Sequence, residues 1–320
     1  MSPTPRRARR ARSSSEDGGS CGVPSATDVK LAGRAALVAF AVGTGIACAG
    51  ATLAARALAS GAPVETARTR SSPVRIEVTA RTRTFAVGAR RAITLGCPRN
   101  TLAASGYAVR LRQVRLLATR PAGHNLWRFD LSPTAVQGGR AVLALRCLRL
   151  RLPPGARVEL QAAERYEPFA LSELPATATA TCPSGFVVTA AGYELPPRGV
   201  RVVAVRGSRS QASVVFAPEP TEPGAGARVA GWARCLPARF RVERGGRTSS
   251  VALRTRDVAI ERTLRRPDTV VTRCPSRSTA LAAFAEGPAG GEIVPLLRSP
   301  RSAAVTASAP GRVRLVVRCL

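Results

Sequence analysis

The chain has 320 residues, long enough for two or three domains, and a formal charge of +30 from 49 basic against 19 acidic side chains. Every basic residue but Lys30 is arginine, a bias of GC-rich coding, and the chain carries one histidine, so a Ser-His-Asp or Cys-His centre has a single place to form. No P-loop and no dinucleotide-binding glycine fingerprint is present, and no cofactor is expected.

Residues 1–30 read as a disordered basic cytoplasmic tail, in which Arg6, Arg7, Arg9, Arg10 and Arg12 stand beside a stretch of Ser, Gly and acidic residues with almost nothing to bury. These arginines serve first as a topology signal and second as contacts for anionic headgroups. Cys21 is expected to be a free thiol on the reducing side. Residues 35–55 carry no charge and lie between Arg34 and Arg56. A helix of that length spans roughly 30 Å, the hydrocarbon thickness of a bilayer, and the basic residues ahead of it keep the N-terminus inside. We therefore expect a transmembrane signal-anchor helix over 31–59 and a stalk over 60–73. Cleavage after Ala57-Leu58-Ala59 would release a secreted protein instead, and Gly45-Ile46-Ala47-Cys48 is a poorer match to a lipoprotein site.

From Val74 onward the sequence repeats. Cys97-Pro98, Cys182-Pro183 and Cys274-Pro275 recur at intervals of 85 and 92 residues, each followed by Arg146-Cys147-Leu148, Arg234-Cys235-Leu236 or Arg318-Cys319-Leu320. An aromatic residue follows each Cys-Pro cysteine by ten or eleven positions, as Tyr107, Tyr193 and Phe284, and strand-like runs recur at 75–78, 157–160 and 250–253. These features divide the region into three repeats, 74–152, 156–240 and 247–320.

Within a repeat the period is two. Ile76, Val78 and Ala80 alternate with Glu77, Thr79 and Arg81, and Val313, Leu315, Val317 and Cys319 alternate with Arg312, Arg314 and Arg318. Gly and Pro clusters interrupt these runs at short intervals and no long amphipathic helix is evident, so the fold class is mainly β, with three tandem antiparallel β-sandwich modules. The last alternation puts the cysteine on the apolar face, pointing inward. Six cysteines allow fifteen pairings. The repeat selects Cys97 with Cys147, Cys182 with Cys235 and Cys274 with Cys319, each loop of about 50 residues contributing roughly 4 kcal/mol. Zinc would want its cysteines in close pairs, which are missing.

A disulfide and a core tryptophan invite comparison with immunoglobulin domains, but Trp232 lies on the strand face opposite Cys235 and the third repeat has no tryptophan. On Cys-Pro, the aromatic and Arg-Cys-Leu, residues 74–320 resemble the cysteine-paired β-repeats of uncharacterised exported proteins of GC-rich bacteria. That resemblance implies no known activity.

Catalytic candidates are few. His124 lies in a turn-like segment with no G-x-S-x-G elbow, and Glu164 with Glu167, or Glu219 with Glu222, could serve as glycosidase carboxylates only if apparent loops brought them together. Beyond Arg56 there are 41 arginines against 16 carboxylates. That balance suits anionic wall polymers or lipid headgroups, because guanidinium forks match phosphate and carboxylate. The expected function is a membrane-anchored extracytoplasmic binding or structural protein. A hydrolase and a cytosolic nucleic-acid-binding protein are the alternatives, and no known nucleic-acid-binding motif supports the latter.

Overall fold

The period-two alternation becomes strand. A computed structural model describes residues 74–170, 175–220 and 228–320 as twenty-one β-strands, with no helix among the described residues. None of the described residues therefore forms a helix long and apolar enough to cross a membrane, and the basic tail, the apolar run 35–55 and the stalk lie outside them.

Six strands come from the first repeat: β1 (Arg75–Val87), β2 (Arg91–Gly96), β3 (Leu102–Arg112), β4 (Val114–Pro121), β5 (Leu126–Pro133) and β6 (Gly139–Arg151). They form two three-stranded antiparallel layers, β1-β6-β3 and β2-β5-β4. The same order recurs in the second repeat with β8 (Ala163–Ala170), β9 (Ala176–Thr181), β10 (Phe186–Glu194), β11 (Val200–Gly207), β12 (Gln211–Pro218) and β13 (Arg228–Pro237), as β8-β13-β10 and β9-β12-β11. The third uses β16 (Arg256–Leu264), β17 (Asp268–Arg273), β18 (Ala280–Glu286), β19 (Ile293–Ser299), β20 (Ser302–Ala307) and β21 (Gly311–Cys319), as β16-β21-β18 and β17-β20-β19.

The layers do not end at the repeat boundaries. β10 pairs with β4, where Tyr193 faces Thr119; β18 pairs with β11, where Ala285 faces Val205; β3 meets β19 at Ala108 and Leu296. The second repeat thus joins the first, the third joins the second, and the first joins the third. Three six-stranded sheets result, and the three repeats close a ring. The described residues accordingly form one compact unit rather than three separate bodies. Each junction covers a strand edge that would otherwise present unpaired backbone groups to other chains.

A small fourth sheet, β15-β14-β7, is built from the segments between repeats: β7 (Ala156–Val158), β14 (Arg239–Arg244) and β15 (Arg247–Ala252). Here the structure departs from the expected repeat. The runs 157–160 and 250–253 belong to or flank this sheet, and only 75–78 begins a sandwich layer. Alternation reports that one face is dry without saying what covers it. Val158, Leu160 and Leu253 pack on a second apolar cluster with Leu102, Leu148 and Leu236, separate from the main core.

The aromatic spacing also conceals a slip. Tyr107 faces Ala144 and Phe284 faces Val316, each three residues before the β6 or β21 cysteine; in the second repeat that position is Gly192, facing Trp232, and Tyr193 is one step further on. The glycines that precede the two tyrosines have steric reasons. A Cβ on Gly106 would fall inside the buried Trp127 ring, and one on Gly192 would strike the Thr119 carbonyl. Gly106→Ala is therefore expected to lower the unfolding free energy in urea by about 2 kcal/mol or more. Gly88→Ala, with nothing within 4 Å of the added carbon, should stay within about 0.5 kcal/mol of the unmodified protein.

Candidate functional site

Three disulfides join the two layers of each repeat. Cys97, Cys182 and Cys274 stand just past β2, β9 and β17, and bond to Cys147 on β6, Cys235 on β13 and Cys319 on β21, with Cα–Cα distances of 5.6, 5.6 and 5.7 Å. The Cys-Pro pair anchors a turn as well as a bridge. Each cysteine N–H donates at 2.8 Å to a carbonyl in the turn between the fourth and fifth strands of its repeat, that of Asn125, Ser210 or Arg301. The proline fixes the next dihedral, and two residues beyond it the backbone is left-handed, at Asn100 (φ 59°), Gly185 (80°) and Arg277 (70°).

Arg-Cys-Leu is explained by strand parity. With the cysteine inside its own sandwich, the flanking arginine and leucine must leave the strand on the other side. Leu148 and Leu236 are fully buried in the second cluster and Leu320 packs against it. The arginines, expected on wet strand faces, are buried too: Arg146 is 2%, Arg234 0% and Arg318 4% exposed. Each reaches the same turn position in a different repeat. Arg234 donates to Gly123 O at 2.5 Å, Arg318 to Ser208 O at 3.0 Å and Arg146 to Ser299 O at 2.5 Å. The direction of these contacts matches the strand junctions, second to first, third to second and first to third.

Burying a guanidinium is costly, and desolvation pulls both Arg146 and Arg234 down to about 10. Two of the three positions offset this with a carboxylate directly across the ladder. Glu164 on β8 faces Arg234 at 3.3 Å, and Asp257 on β16 holds Arg318 through two contacts of 2.8 and 2.7 Å. In the first repeat the residue opposite Arg146 is Ala80, and no carboxylate pairs with Arg146 among the described residues.

The fold brings Glu164 to the backbone of the turn that carries His124, but no hydrogen bond joins the two side chains among the described residues. His124 is exposed in the turn between β4 and β5, and its carbonyl, not its ring, is used, accepting from Ala103 N at 3.0 Å. Glu164 and Glu167 lie on strand β8 rather than in the expected loop. Glu164 is taken by Arg234 and by Gly123 N, and Glu167 accepts from Thr179 N. Glu219 is paired with Arg115, and Glu222 lies outside the described residues.

What the described surface does offer is a basic cleft of about 1020 Å³ at the end of the first repeat. Arg149 and Arg151 from the end of β6 and Arg157 from β7 line it, with Asn100, His124 and Asn125, over an apolar floor that includes Leu150 and Val158. No carboxylate lines it; Glu77 on β1 engages Arg151 at 2.6 Å from outside. Its volume is at the upper end of ligand pockets, about 300–1,000 Å³. A rim of forks and amides above a CH-bearing floor can hold an anionic, hydroxyl-rich chain.

Comparison with known protein families and with curated proteins gives no match to this chain. The buried arginines are the site residues that the alternation misassigned. The signal that could have found them is their fixed place beside the cysteine in all three repeats, since a merely solvated face has no reason to keep one position constant. Ala80→Glu supplies the missing counterion and is expected to raise stability by about 1 kcal/mol, read as an upward shift of the thermal midpoint. Arg318→Ala strands the buried Val188 carbonyl and unpairs the Ser208 carbonyl and Asp257, and should cost about 2 kcal/mol or more by the same measurement.

Proposed function

We propose that this is a single-pass membrane protein, N-terminus inside, which carries three disulfide-stapled β-sandwich modules outside the membrane and binds anionic polymers of the cell envelope there. Three closed disulfides are what an oxidising compartment maintains and a reducing cytosol does not. The uncharged run 35–55, flanked by Arg34 and Arg56, supplies the anchor. The observation that carries the binding role is the cleft of Arg149, Arg151 and Arg157 with no carboxylate in its lining, on a chain with 41 arginines against 16 carboxylates beyond Arg56. Anionic lipid headgroups offer the same chemistry to the cleft. Release after Ala59 would make the same modules a secreted binder.

Binding of this kind is screened by salt. The full-length protein, in detergent, should be retained on a heparin or wall-phosphate matrix at about 0.05 M salt and released by about 1 M, where the Debye length falls to about 3 Å. Retention that does not change with salt would contradict a polyanion-binding role.

A further inference from the structure

The second repeat carries an aromatic row that the other two lack. Across one sheet face, Tyr166 on β8 stacks on Trp232 on β13, with ring centroids 4.6 Å apart and planes at 21°. On the far side the Arg120 guanidinium, from β4 of the first repeat, lies 4.9 Å from the Trp232 ring. Gly192 stands opposite Trp232 with no side chain to hold the indole off the sheet. At the matching ladder positions the first repeat has Thr82 and Ala144, and the third has Ala259 and Val316. A shared structural need would have put aromatics in all three.

Cross-strand packing accounts for the stack itself. It does not account for the exposure of Tyr166, which at 58% is exceeded among the large apolar side chains of the described residues only by Val136. The patch is too small for a protein partner, since one aromatic side chain offers at most about 250 Å² and a stable interface needs about 800 Å² per partner. Its neighbours on that face are ionic: Arg120 pairs with Glu194 at 3.2 Å, and Glu164, two residues before Tyr166 on β8, pairs with Arg234, which disfavours a lipid chain. A sugar ring has the complementary form, with an apolar CH face to lie on a ring and a hydroxyl rim for charged side chains.

We propose that Tyr166, Trp232 and Arg120 form a saccharide-binding platform, and that the envelope polymer bound by this protein contains sugar rings bearing acidic groups. This rests on the polyanion reading and adds the class of ligand and a second point of contact. The fluorescence of the protein isolates the event. Trp127 is fully buried and hydrogen-bonded to Thr119 at 2.9 Å, so a ligand-dependent change in emission reports Trp232.

Full-length protein in detergent is titrated with a uronic acid tetramer, a neutral glucose tetramer and a dT oligonucleotide, while tryptophan emission is followed. The uronic acid tetramer should change the emission and saturate. Tyr166→Ala should weaken that binding at least fivefold with the thermal midpoint preserved, and Arg312→Ala, in the third repeat, should leave it unchanged. No saccharide response, an equal loss in Arg312→Ala, or a response confined to the oligonucleotide overturns the platform. Salt-sensitive retention on heparin without any saccharide response removes the platform and leaves the polyanion reading standing. A saccharide response without salt-sensitive retention does the reverse.

Discussion

Side chains one apart on a strand leave it on opposite faces, and at Arg-Cys-Leu this single constraint organises the molecule. Turning Cys147, Cys235 and Cys319 into their own sandwiches turns Arg146, Arg234 and Arg318 out toward a neighbouring repeat, with Leu148, Leu236 and Leu320 beside them. A guanidinium driven out of water must find acceptors, and the turn carbonyls of Ser299, Gly123 and Ser208 provide them. One tripeptide therefore closes each repeat covalently and latches it to the next. Covering the β3, β4, β10, β11, β18 and β19 edges follows from the same closure.

The ring is not uniform, and its departures are informative. The latch from the first repeat to the third lacks a carboxylate because Ala80 stands where Glu164 and Asp257 stand in the others. The ladder at that junction is also the shortest, and parallel, with one residue pair against two at each of the others. The seam between the two ends of the repeat array is thus the one held least by ionic and ladder contacts. Tyr166 with Trp232 on the sheet face has no aromatic counterpart in the other repeats, whereas Arg151 is matched by Arg239 at the same distance from its cysteine.

Much of this was legible in the chain. The β class followed from alternations such as Val313, Leu315 and Val317, all fully buried, against Arg312 and Arg314, both exposed. The disulfide partners followed from the order in which Cys-Pro and Arg-Cys-Leu alternate. Trp232, three residues before Cys235, lies by the same parity on the face opposite the cysteine, where it stacks on Tyr166. What alternation does not reveal is the identity of the medium on the second face of a strand. Arg318 has the pattern of a solvated residue and is buried, because another repeat rather than water lies against it. The runs 157–160 and 250–253 looked like first strands for the same reason, since packing on the second cluster leaves the same period-two trace as packing in a sandwich. The cleft joins Asn100, His124, Arg149 and Arg157, which come from four segments, and no local pattern links them.

The central claim is that these repeats live in an oxidising compartment behind a membrane anchor. The most direct test is disulfide mapping by mass spectrometry on protein extracted under alkylating, non-reducing conditions, with membrane and soluble fractions kept apart. The account predicts Cys97–Cys147, Cys182–Cys235 and Cys274–Cys319 closed in the membrane fraction, with Cys21 alkylated. Alkylation of all six repeat cysteines would contradict it, and would return the +30 charge to a cytosolic polyanion such as nucleic acid.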